Sequence, residues 1–122
     1  MTTTNCLLLS AAVVALIGCG SGGTDSSSTA CTASTATATS SVQVVSMAFS
    51  PSCLKVAVGS EVAFTNDDAV AHTVTSDTGQ VESFDSGTLN PGAVYRHVFS
   101  ASGTIAFHCT FHSGMHATII VE

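Results

Sequence analysis

Positive charge is what this chain has least of: Lys and Arg together number 2, Lys55 and Arg96, against 8 Asp and Glu, for a formal net charge of -6. Two cations cannot build the basic stripe that neutralises a phosphate backbone, which excludes nucleic acid as a partner. Charge of either sign is scarce, at 8% of residues. Its acidic balance keeps a protein soluble and, at low ionic strength, can steer a basic protein partner. A hydrolase nucleophile motif, a glycine-rich phosphate loop and a paired-carboxylate signature are also missing. No helical period appears, so a helical bundle is excluded.

What is there divides into three stretches. Residues 6 to 18 form an uncharged apolar run about as long as a signal-peptide core and too short to span a bilayer comfortably. Within it Leu16-Ile17-Gly18-Cys19 resembles the bacterial lipobox, whose cysteine is lipidated and becomes the first mature residue. Met1 to Asn5 depart from that pattern in carrying no Lys or Arg. The expectation is a lipoprotein-type signal peptide over 1–18 and a membrane anchor through a lipid on Cys19. That implies an extracytoplasmic, membrane-anchored bacterial lipoprotein of the periplasm or cell surface. Residues 19 to 41 are almost all Ser, Thr, Ala and Gly, with too little bulky apolar surface to offset the entropy of ordering them. They read as a flexible tether.

From residue 42 to 122 the pattern becomes short alternating runs bounded by turn residues, the mark of an all-β sandwich or barrel. Strands are expected at 42–49, 53–58, 61–66, 70–75, 93–99, 103–109 and 116–121, with an eighth, short one between 79 and 85. Parity places Leu54, Val56 and Val58 on one face of their strand, Val62 and Phe64 on another, and leads Ile105 and Phe107 inward to Cys109. One domain of about 80 residues buries a modest share of its surface, so a bound metal would help to stabilise it.

The chemistry concentrates in Cys109-Thr110-Phe111-His112-Ser113-Gly114-Met115. A thiolate and a thioether favour a soft ion and imidazole suits copper; two imidazoles, one thiolate and a weak axial thioether make the blue-copper combination. His72, at the end of a strand-like run, can supply the second imidazole. Taken singly, a buried Cys, a Met or a lone His is more often structural; the spacing of all three within one hairpin argues otherwise.

Asn66-Asp67-Asp68 followed by His72-Thr73-Val74, then Phe84-Asp85-Ser86-Gly87, Pro91-Gly92, Gly103 and the 109–115 loop, resembles the small blue copper proteins of the plastocyanin and amicyanin type. The resemblance covers about residues 42–122. It implies an all-β Greek-key sandwich or barrel of seven or eight strands, one type 1 copper per domain, and ligands His72, Cys109, His112 and Met115. It further implies a monomer that shuttles one electron between redox protein partners and turns over no substrate. Copper buffering or delivery is the alternative function. Phe111 stands where plastocyanin and amicyanin have proline and azurin has phenylalanine, so its amide, which proline lacks, is expected to donate to the Cys109 sulfur.

Three histidines remain, His97, His108 and His116, expected at surface or edge positions. His108-Cys109 invites comparison with copper nitrite reductases, which place a catalytic-copper histidine beside the blue-copper cysteine. Those enzymes combine cupredoxin domains and use His-x-His pairs, and no such pair occurs here. Of the cysteines, Cys31 and Cys53 are left over once Cys6, Cys19 and Cys109 are assigned; they are either a disulfide or two free thiols.

Overall fold

The computed structural model describes residues 30–122. The signal peptide and Cys19 lie outside the described residues. The compact unit that carries the strands runs from Cys31 to Glu122.

Strands form where apolar residues alternate. In chain order they are β1 (Thr37–Ala38), β2 (Ser41–Val45), β3 (Ala48–Ser50), β4 (Cys53–Val56), β5 (Glu61–Asn66), β6 (Thr75–Ser76), β7 (Val94–Val98), β8 (Gly103–His108) and β9 (His116–Val121). One sheet has the order β1-β4-β9-β8-β6 and the other β3-β2-β5-β7. β9 runs parallel to β4 and antiparallel to β8, and β2 runs parallel to β5. This is the all-β sandwich that the alternation predicts.

Each sheet turns one face inward. Val42, Val44, Phe49, Val62 and Phe64 meet Leu54, Ile105, Phe107, Ile119 and Val121, all buried. Phe107 joins the layers: its ring lies edge-on to Phe49 at 5.0 Å and to Phe64 at 5.6 Å between centroids. Burying a side chain of this size contributes about 1.5–3 kcal/mol, and edge-on aromatic pairs add to that. Continuing along β8, the residue after Phe107 and His108 is Cys109, which the same alternation turns inward.

Several boundaries differ from the sequence expectation. The 42–49 strand is two, β2 and β3, joined by a tight turn in which Ser46 and Met47 both have positive φ, 54° and 61°. Two left-handed residues in succession give the hairpin turn whose twist matches its strands, though without glycine they need an outside partner to hold them. The expected 70–75 strand is reduced to β6 and bridges between His72 and Leu89 and between Thr75 and Asp85. The Ser86 hydroxyl, accepting the Val74 amide at 2.8 Å, replaces a backbone partner there. Residues 79–85 form no strand, and Val58 is exposed because β4 stops at Val56 and the chain turns at Gly59, whose φ is 89°.

Of residues 31–41, read from composition as tether, those up to Ala38 pack on the first sheet, and Ser41 already opens β2 of the second. β1 pairs with β4, the Lys55 ammonium donates to the Ala33 carbonyl at 2.9 Å, and Cys31 is joined to Cys53. Closing a loop of that length stabilises the fold by about 3 kcal/mol in the chain-entropy model.

The 77–85 loop is latched by Glu82. One carboxylate oxygen accepts the Ser100 and Ala101 amides, each at 2.9 Å, and the other takes the His97 ring. Burial alone would raise this carboxyl, but the Ala101 amide, the His97 ring and the Ser100 amide outweigh it and hold Glu82 below its ordinary range. A group depressed in the folded state contributes stability that is present above its unfolded pKa and lost as pH falls through its folded one. Urea melts should therefore show a plateau near neutrality and a decline below about pH 4.5. Glu82→Gln should cost about 1–3 kcal/mol at pH 7 and flatten that acid limb; an unchanged limb would show that the latch is not its source.

Candidate metal centre

Three potential ligand atoms meet at one end of the sandwich. The Cys109 sulfur lies 3.7 Å from His72 Nδ1 and 3.6 Å from His112 Nδ1. All three atoms fall within 4.8 Å of one another, and the imidazole centroids are 4.8 Å apart. Met115, the fourth residue expected, is buried where the same loop closes, its amide on the His112 carbonyl and its carbonyl on the Cys109 amide. Gly114, with φ 93°, makes the reversal that brings Met115 back.

These separations suit a metal. An ion bonded to nitrogen at about 2.0–2.1 Å and sulfur at about 2.3 Å, with angles between tetrahedral and trigonal, sets the two donors about 3.5–3.8 Å apart. The donor set of two imidazoles, one thiolate and a neighbouring thioether is that of a blue-copper site. Cys109 is the only free cysteine among the described residues, so its thiol is not tied up in a disulfide.

His72 is the ligand candidate that comes from elsewhere in the chain, and the fold holds it hardest. It is fully buried, yet both ring nitrogens are engaged: Nδ1 faces the Cys109 sulfur, and Nε2 donates to Asp68 Oδ2 at 2.9 Å. A carboxylate on the remote nitrogen fixes the tautomer that leaves Nδ1 able to bind a metal. The same carboxylate accepts the Ser46 amide at 3.0 Å and the Met47 amide at 2.9 Å, so the left-handed turn between β2 and β3 is held by the group that aims His72. The Met47 amide does most to keep the Asp68 carboxyl below its ordinary range, with the His72 ring and the Ser46 amide assisting against an upward push from burial. Behind them Asn66, fully buried, donates to the Val70 and Leu89 carbonyls and accepts the Asp68 amide.

The ligand loop is stapled to the His72 segment through Thr73. Its hydroxyl accepts the Thr110 amide at 2.8 Å, and its own amide donates to the Cys109 sulfur at 3.3 Å. The hydrogen bond to sulfur thus comes from Thr73 rather than from the expected Phe111 amide. The sequence marks Asn66-Asp67-Asp68 as part of a motif but assigns no role to Asp68 or Thr73. The usable signal is an acidic residue four before the histidine in a turn, where its carboxylate can reach back to the ring.

The Cupredoxin-like domain family model matches residues 10–121. A plastocyanin of Cucurbita pepo is 30% identical over 79 residues, spanning 57% of this chain and 80% of that protein. Amicyanin-alpha of Methylorubrum extorquens is 30% identical over 83 residues, 66% of this chain and 70% of its own length. Among solved structures, a purple cupredoxin from Nitrosopumilus maritimus superposes with a TM-score of 0.62 at 27% identity, covering 69% of this chain and 100% of its own. A copper-containing nitrite reductase from Thermus scotoductus gives a TM-score of 0.64 at 29% identity over 67% of this chain, but the match spans only 22% of the reductase.

Removing the Asp68 carboxylate should loosen His72 and the Ser46–Met47 turn together. Asp68→Ala is expected to weaken metal binding about 10–100-fold, the usual effect of losing a group that orients a metal-bound histidine. Competition against a chelator measures it; wild-type affinity in Asp68→Ala would remove that role from the carboxylate.

Proposed function

Because the chain belongs to the cupredoxin-like family, we propose that it carries single electrons between protein partners on one type 1 copper held by His72, Cys109, His112 and Met115. The observation that carries this reading is the convergence of the His72 and His112 Nδ1 atoms on the Cys109 sulfur. Copper, when bound, supplies the one-electron Cu(II)/Cu(I) couple.

The chain's own residues then do two things. They keep the donor atoms still: the Asp68 carboxylate, the Thr73 amide and the self-bonded 109–115 loop all restrain them, which limits rearrangement between oxidation states. They also offer an approach. His72 is sealed inside, whereas His112 is half-buried and follows Phe111, which is 51% exposed. Val70, two residues before His72, and Met47, in the turn held by Asp68, are also exposed apolar side chains. An exposed phenyl ring beside a half-exposed imidazole, their centroids 6.5 Å apart, suits brief docking by a redox protein, since small apolar contacts release readily.

The apolar run at 6–18 and the Leu16-Ile17-Gly18-Cys19 sequence support a carrier tethered to a membrane through Cys19. Lipid on that cysteine with two or more chains would hold it stably, while one chain would hold only marginally.

Two experiments test this. One Cu(II) per chain should give an intense visible thiolate charge-transfer band that Cys109→Ser abolishes and Met115→Leu only shifts. Colour and a reversible couple persisting in Cys109→Ser would overturn the ligand assignment. In cell fractionation the wild type should sediment with membranes and Cys19→Ala should be released; a soluble wild type would remove the anchor.

A further inference from the structure

A second pair of imidazoles lies on the other side of the sheet that carries Cys109. β8 and β9 are antiparallel neighbours, and His108 stands directly opposite His116 in their register. Opposed residues carry their Cβ atoms about 4.5–5.5 Å apart. Phe107, Cys109, Met115 and Ala117, the chain neighbours of the two histidines, are all buried. Alternation along the strands therefore sends both imidazoles to the outer face.

Their spacing is within reach of one shared ion. The ring centroids are 6.1 Å apart with planes inclined at 43°. An ion about 2.1 Å from an imidazole nitrogen lies about 3.2 Å from the ring centre, so rings at this separation could share it at a wide N–metal–N angle of about 145°, and a turn of the exposed His116 ring narrows that angle toward tetrahedral. The His108 ring is already oriented, because its Nδ1 donates to the Asp77 carboxylate and leaves Nε2 as the bare nitrogen. Asp77 is itself anchored, its amide donating to the Ala106 carbonyl at 2.9 Å. His116 is exposed, and the chain's two cations are engaged elsewhere, Lys55 on the Ala33 carbonyl and Arg96 beside Glu61.

We propose that His108 and His116 form a second, surface site for a divalent transition ion of the kind imidazole favours, such as Zn(II), Ni(II) or Cu(II). Asp77 is a positioning residue for His108, and water completes the shell. The site rests on the cross-strand pair and does not depend on electron transfer at the first one. Its position matters, because each histidine is the chain neighbour of a proposed copper ligand, Cys109 in one case and Met115 in the other. An ion there places positive charge one residue away from both.

The test is a Zn(II) titration of the reduced, copper-loaded chain, in which the first site is filled and both ions are diamagnetic. Nuclear magnetic resonance should show the His108 and His116 ring signals moving together while those of His72 and His112 stay put. His116→Gln and His108→Gln should each weaken Zn(II) binding at least about 10-fold, and Asp77→Asn by about 10-fold through loss of the orienting carboxylate. An unchanged visible band in oxidised His116→Gln establishes that the fold and the first site are intact. Movement of the His72 and His112 signals instead, or wild-type Zn(II) affinity in both glutamine variants, would overturn the proposal.

Discussion

A buried imidazole that cannot turn is the constraint on which the metal end of this molecule depends. His72 and Cys109 lie on different segments and come within 3.7 Å of each other with the ring clamped from behind by Asp68. That carboxylate holds both the ring and the Ser46–Met47 turn, so a hairpin distant in sequence is coupled to the orientation of one metal-binding nitrogen. Left-handed backbone at two residues that are not glycine is unfavourable on its own. A charged acceptor for both turn amides offsets that cost, charge-assisted hydrogen bonds being about twice as strong as neutral ones.

Two different devices therefore fix the four proposed ligands. The 109–115 loop organises itself, through the Cys109 and Met115 backbone bonds and the turn at Gly114. His72 is organised by the sandwich, through Asn66, Asp68 and the Leu89 bridge. Thr73 joins the two, with its hydroxyl on the loop backbone and its amide on the sulfur. The consequence for a carrier is that the sulfur and both nitrogens are positioned by protein bonds, so a change of oxidation state has little slack to take up.

Legibility follows the range of the interactions. Alternation is local, and it places β5, β7, β8 and β9 within a residue or so and identifies Phe64, Ile105, Phe107 and Cys109 as inward. The spacing of Cys109, His112 and Met115 is local too, and the structure brings the His72 ring nitrogen within 4.8 Å of the donor atoms of the cysteine and the loop histidine. What the sequence hides are bonds made at a distance. Nothing in Ser46-Met47 announces a turn, because its acceptor is Asp68. The 70–75 run resembles a strand, but Ser86 supplies a side-chain acceptor where a strand needs a carbonyl. The Ser- and Thr-rich stretch from 31 reads as free because its composition cannot pack a core; a disulfide and a strand edge hold it instead.

The same period of two that builds the copper site also determines what lies outside it. In His108-Cys109 and Met115-His116 a proposed ligand is preceded or followed by a histidine, and on extended backbone adjacent side chains leave on opposite faces. Once Cys109 and Met115 are drawn inward, His108 and His116 must point outward, and the register of β8 with β9 sets them opposite each other. Outward placement alone would leave two free surface imidazoles. Asp77 changes that for His108, because a carboxylate on one ring nitrogen prepares the other as a donor, just as Asp68 does for His72. One arrangement, an aspartate behind a histidine, thus occurs on both faces of the sheet that carries the cysteine.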